Sequence, residues 1–276
     1  MELTTLFLGA LGASLVLIPA ELPFSGRCKA LLPRSLAVGL ALPLAVLGGY
    51  RSLHGQLPTW PPVDASGFLV VCLPLAAFAI SIRSRRIGLA MALAGIGLWI
   101  WLGLEPYRTR HWADSQALLR LGGLAFLLMT LASALQLRLP RQEERWWLPT
   151  GLLALLVICA LLVGQSSGAS ALLLGCLGIG VGASAVSCLR AGEIEAMGAL
   201  AWPLALGAGG LVINGVLYAS TPALSAFLLA GAVGLLCIPL PTWRRAAALR
   251  LVLALALGGG ALYLGWPEPD PYGAGW

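Results

Sequence analysis

The side chains best equipped for chemistry in this sequence are His54, Asp64, Glu105, Arg108, Arg110, His111 and Asp114, a set that includes both histidines of the chain. Imidazole and carboxylate groups at close spacing are the raw material of a divalent-metal site or of an acid-base pair. Glu105, His111 and Asp114 are closely spaced and are the candidate catalytic residues for a reaction on a lipid-linked substrate at a membrane surface. Their spacing matches no metal-ligand or nucleophile motif, and polar residues collect in the loops of any membrane protein, so a solvated loop is the simpler reading. The cysteines, Cys28, Cys72, Cys159, Cys176, Cys188 and Cys237, form no CxxC pair and stand beside no histidine at ligand spacing. Most fall within apolar runs, where a thiol is a small packing group. Neither a metal nor another cofactor is expected, and the chain has no GxxxxGK[ST] segment to cradle a nucleotide phosphate.

A second kind of candidate lies inside the apolar runs. Asn214, followed by Gly215, places an amide where hydrocarbon is expected, and such a group needs a partner, either another helix or a solute. Gly178 and Gly182 leave room beside a helix, for a neighbouring backbone or for a passing molecule. Asn214, Gly178 and Gly182 are therefore the candidate pathway residues, and Thr130, Ser133 and Gln136 repeat the theme in another run.

The elements that must position these groups follow from composition. Of the 276 residues 59% are hydrophobic and only 10% charged, with a mean hydropathy of +0.91, so water cannot be the main solvent of the fold. Runs long enough to span a bilayer occur at about residues 3–20, 35–50, 67–82, 87–104 and 118–137, and again at about 147–163, 170–189, 199–218, 223–240 and 249–264. The expectation is an all-α integral membrane protein of about ten transmembrane helices with short loops, folded as one domain over residues 1–276. The second and third runs are the shortest for the hydrocarbon thickness, and a re-entrant segment there would leave nine spans.

Charge tests the count, because Arg and Lys accumulate in cytoplasmic loops and the side alternates with each crossing. Odd-numbered loops hold Arg27, Lys29 and Arg34, then Arg83, Arg85 and Arg86, then Arg138, Arg141 and Arg145, then Arg190, then Arg244, Arg245 and Arg250. Even-numbered loops and the tails hold only Arg51, Arg108 and Arg110, with Arg120 just inside the fifth run, which accounts for all 17 basic residues. Both termini are thus expected outside. The outer loops then gather His54, Asp64, Glu105, Arg108, Arg110, His111 and Asp114 at one face. Trp60, Trp99, Trp101, Trp112, Trp146, Trp147, Trp243 and Trp266 fall near run ends and read as headgroup-level anchors.

The net charge of +6 is topological, with no basic stripe interleaved with stacking aromatics, so no nucleic-acid partner is expected. The N-terminus lacks a basic n-region and an A-x-A-like cleavage site, so the first helix is expected to stay. Turns at Gln165-Ser166-Ser167-Gly168 and Ser220-Thr221-Pro222 close two helical hairpins. Gly175, Gly178, Gly180 and Gly182, with Ala183 and Ser187, make the seventh run the expected site of tightest packing. Pro43, Pro74 and Pro203 are expected to kink their helices. Ten helices divide five plus five, over residues 1–140 and 146–276, and an odd count per half permits an inverted repeat, although no matching residues mark one.

Intramembrane charge is essentially absent, which counts against a proton pump and against a charged-substrate site deep in the bilayer. Three functions fit: a small-solute transporter or facilitator, a noncatalytic membrane subunit or assembly factor, and an enzyme using the Glu105, His111 and Asp114 region. The expected setting is a bacterial inner (plasma) membrane, with the lipid bilayer as partner and protein partners in the membrane or at the outer loops.

Overall fold

In hydrocarbon every backbone N–H and C=O must find its partner within the segment, and the apolar runs answer with helices throughout. The computed structural model describes residues 2–21, 34–62, 64–81, 85–111, 114–141, 146–219, 221–238 and 244–266. In chain order they form α1 (Glu2–Glu21), α2 (Arg34–His54), α3 (Ala65–Ser81), α4 (Arg85–Leu98), α5 (Glu105–His111), α6 (Asp114–Arg138), α7 (Trp147–Gly164), α8 (Gly168–Ala191), α9 (Ala201–Tyr218), α10 (Ala223–Cys237) and α11 (Arg244–Gly265). α4 runs on into a π turn at Trp99–Gly103, and a 3-10 turn at Ile194–Leu200 leads into α9. No strand occurs among the described residues.

Among the described residues, 6 helical stretches are long and apolar enough to cross a membrane: Arg34–His54, Gln116–Arg138, Trp147–Gly164, Gly168–Ala191, Ile194–Tyr218 and Ala246–Gly265. Ala65–Ala77, Ile87–Gly103 and Ala223–Cys237 are apolar but shorter. The second run is a helix of 21 residues despite Pro43, and the third is a helix of 17 residues carrying Pro74. Pro203 falls in the first turn of α9, just after the change from 3-10 to α geometry, where a missing N–H is best tolerated.

The packing order is a ring around one helix. α1, α2, α3 and α4 follow one another, α6 joins α4 to α10, and α10, α11, α7 and α8 lead back to α1. α9 lies inside, touching α2, α3, α6, α7, α8 and α10, with an unbroken buried stretch from Ala201 to Gly207 and another from Gly210 to Gly215. The outside of the ring is apolar: Leu119 and Phe126 of α6, Val157 of α7, Phe227 of α10 and Val252 of α11 are all exposed. An apolar coat of this extent is intolerable in water and natural in lipid, which makes this an all-helical membrane-embedded protein.

The closest helix contact is not on α8, as the glycine pattern suggested, but between α1 and α2. A Cβ at Gly12 would collide with the Leu44 carbonyl, and one at Gly48 with the Leu8 carbonyl, so the two backbones touch where glycine permits it. Cys176 of α8 plugs the same junction: its Sγ is 2.8 Å from where a Gly9 Cβ would stand and 2.6 Å from that of Gly49. Gly180, one turn on, rests against Leu42 and Ala45 of α2. Gly178 and Gly182 are turned about 200° from Cys176 and Gly180. A Cβ at Gly178 would meet nothing within 4 Å, and one at Gly182 only the Leu153 methyls.

The tryptophans divide as well. Trp60, Trp101, Trp146, Trp147 and Trp266 are exposed, as interfacial anchors should be, whereas Trp112 and Trp243 lie outside the described residues. Trp99 is no anchor: it is fully buried, and its indole N–H donates to the Ala65 carbonyl at 3.3 Å. Its place at a run end misled because the π turn swings that end of α4 onto α3.

Candidate functional site

The turns between α2 and α3, between α7 and α8 and between α9 and α10, together with α5, meet at one end of the bundle, here called the hairpin end. They enclose a cavity of about 460 Å³ lined by Asp64, Ala65, Ser66, Pro106, Ser166, Ser167, Ser170, Asn214, Tyr218 and Ala219. Each wall has a local cause. Asp64 is the N-cap of α3, its Oδ1 accepting the Gly67 N–H at 2.6 Å and the Tyr50 hydroxyl at 3.4 Å. A Cβ at Gly67 would stand 2.8 Å from that oxygen, so glycine is what lets the cap close. Ser167 caps α8 in the same way, accepting the Ser170 N–H at 3.4 Å, and its hydroxyl donates to Ser170 Oγ at 3.1 Å. Ser166 is 3.1 Å from Thr221 Oγ1, which ties the α7–α8 turn to the α9–α10 turn.

Tyr218 forms the wall from the end of α9. Its hydroxyl donates to the carbonyl of Gly103, the last residue of the π turn, at 3.4 Å, and its ring meets Tyr107 of α5 edge-on. The π turn therefore acts twice on this site, placing Trp99 under α3 and offering Gly103 to Tyr218.

Asn214 lies one turn below Tyr218 on α9 and is only 5% exposed. Neither its amide oxygen nor its amide nitrogen has a hydrogen-bond partner among the described residues. Each such group costs about 1–3 kcal/mol when left unmade, so the pair is a marked liability for packing alone. The floor beneath it is apolar. Gly210 and Gly207 share the Asn214 stripe of α9, and their missing side chains admit Leu69 and Trp99 to one and Leu73 and Leu177 to the other. The cavity is thus polar at its walls, has a free amide near its base, and is sealed below by leucine.

The opposite side of α9 borders a second, smaller cleft of about 170 Å³ between α6, α9 and α10, with Leu128, Val212, Phe227 and Leu229 in its apolar lining. Gly178 and Gly182 line neither of these spaces. Gln136 accepts the Trp202 indole N–H at 2.8 Å, and Thr130 donates to the Phe126 carbonyl of its own helix at 2.8 Å.

Of the polar set read from the loops, among the residues whose side chains are described, only Asp64 reaches the cavity. Glu105 and Arg110 are exposed on α5, Arg108 stacks over the Trp101 ring at 4.3 Å, and the exposed His54 stacks on Tyr50 with ring centroids 4.1 Å apart. The side chains of His111 and Asp114 lie outside the described residues. Among the described residues no three His, Cys, Asp or Glu side chains gather as metal ligands. Ser66, Ser166, Ser167, Ser170 and Tyr218 escaped the sequence reading as site residues. Their signal was positional: each lies in or next to an even-numbered connection, at the end of the bundle that Asn214 approaches. Comparison with protein-family models, with curated proteins and with solved structures finds no match to this chain.

Proposed function

We propose that this chain is a small-solute transporter or facilitator of a bacterial inner (plasma) membrane, with ten spans, both termini outside and the hairpin end facing outward. The observation that carries the reading is Asn214, an amide buried without a partner where a polar cavity ends on an apolar seal. A cavity that opens at one face and is closed by packed side chains toward the other is what alternating access requires of an outward-facing state. The size lies in the range of small-molecule sites, and the few polar groups converge as such sites demand. The orientation rests on the arginine alternation, since positive charge marks the cytoplasmic side. Within this proposal the five-plus-five division stays a feature of the helix count, and the halves interlock, with α2 against α8 and α3 against α9.

Uptake by the reconstituted protein in liposomes, scored with a panel of small polar solutes, tests this. A solute should be found whose uptake falls about tenfold or more in Asn214→Leu, with folding unchanged. A membrane-subunit role predicts otherwise: uptake of nothing, indifference to Asn214→Leu, and a near-equimolar partner chain on gentle purification from the native membrane.

A further inference from the structure

The cavity has a charge as well as a shape, and the charge selects. Among the described residues Asp64 is the one carboxylate of its lining, which holds no Arg, Lys or His. Oδ1 of Asp64 is committed to the α3 cap and to Tyr50, which leaves Oδ2 with no hydrogen bond or ion pair among the described residues. The ion pair that is present among the described residues, Arg34 with Glu193, lies at the other end of the bundle. At this end of the bundle Arg108 stacks on Trp101 and His54 on Tyr50.

Helix ends must be weighed against this. α3, α8 and the short α5 bring their N-termini to the cavity, each equivalent to about half a positive charge, and α7 and α9 bring C-termini, each of about half a negative charge. Asp64 adds a full negative charge. Among the described groups the balance is negative, so an anion would meet net repulsion and a cation net attraction. The base of the cavity adds a second requirement, because Asn214 offers an acceptor and a donor together and the serine hydroxyls can do either. A space of about 460 Å³ is far larger than a bare metal ion needs.

Resting on the transporter reading, we propose that the solute is a small hydroxylated organic cation, its ammonium group paired with Asp64 and its polar end held by Asn214 and the α8 serines. The N-cap makes the decisive variant a clean one: Asp64→Asn keeps an oxygen for the Gly67 N–H, while the charge goes and Oδ2 is exchanged for an amide NH2.

The test is equilibrium binding to the full-length protein in lipid nanodiscs of three probes with one three-carbon skeleton: 2-amino-1,3-propanediol, glycerol and glycerate. The aminodiol should bind about tenfold or more tighter than glycerol, and glycerate should not bind. Asp64→Asn should erase that preference while glycerol binding and thermal stability persist. Should Asp64→Asn fail to fold, Ser66→Lys, which tethers a cation in the same cavity, should abolish aminodiol binding instead. Equal binding of aminodiol and glycerol, or a preference for glycerate, overturns the cation assignment and leaves the transporter reading standing. Binding of none of the three also overturns it, and if uptake of the wider panel is in addition indifferent to Asn214→Leu, the transporter reading falls with it.

Discussion

The two ends of the bundle handle polar groups in opposite ways. At the hairpin end, serines, one carboxylate and one amide are turned toward a cavity, and Asn214 is left without a partner. At the other end, polar groups are spent on closing the structure. Arg250 donates to the carbonyls of Leu236 and Ile238 at 3.2 and 2.9 Å, and Arg138 donates to Ile238 at 3.3 Å. Both arginines are buried, and they satisfy the last carbonyls of α10, where a cation also meets the negative end of the helix dipole. Arg34 and Glu193 pair at 3.0 Å and fasten α2 to the α8 exit, and Gln136 takes the Trp202 indole. One end is built to receive and the other to hold. Charge that reads from sequence as a topology signal is, at the arginine end, also a latch.

Variants at the two ends should therefore separate stability from uptake. The largest stability loss is expected for Arg250→Met, about 2–3 kcal/mol in reversible detergent unfolding, because the α10 carbonyls lose a charged donor in a buried place. A loss no greater than that of an exposed arginine would show that the latch is incidental. Asn214→Leu should move the other way, unchanged or more stable by about 1–2 kcal/mol since an unpartnered amide is removed, yet about tenfold poorer in uptake. A destabilised Asn214→Leu protein would assign the amide to packing and blur the contrast. Arg34→Gln should cost at most about 0.5 kcal/mol, because Glu193 is 59% exposed and solvent screens the pair. Asp64→Asn should be the quietest in unfolding, within about 0.5 kcal/mol, as either residue caps α3.

Much of the scaffold is legible in the sequence, and for a clear physical reason: in lipid a helix announces itself by apolar length, and each of the apolar runs overlaps a helix. What could not be read is which side of each helix faces inward. A segment apolar all round carries no stripe to separate lipid from core. So Trp99 and Trp101, two residues apart, looked alike, although one is fully buried and the other lies exposed under Arg108. Gly178 and Gly180 looked alike too, although only Gly180 bears on a neighbouring helix. Asn214 was legible because an amide is costly in hydrocarbon wherever it faces. The serines around it were not, since nothing in a turn sequence tells a cavity wall from a solvated loop. Asp64 stood among other loop charges, and only the meeting of four connections singles it out.

The central claim is that Asn214 is reached by solute from outside through the hairpin end. Its most direct test is labelling of Asn214→Cys, in a background with the native cysteines replaced, by a membrane-impermeant thiol reagent added to intact cells. The described native cysteines are buried, so their removal leaves the cavity lining untouched. The account predicts labelling from outside, slowed by whichever solute the protein takes up. Labelling only after the cells are permeabilised, or none at all, would contradict it.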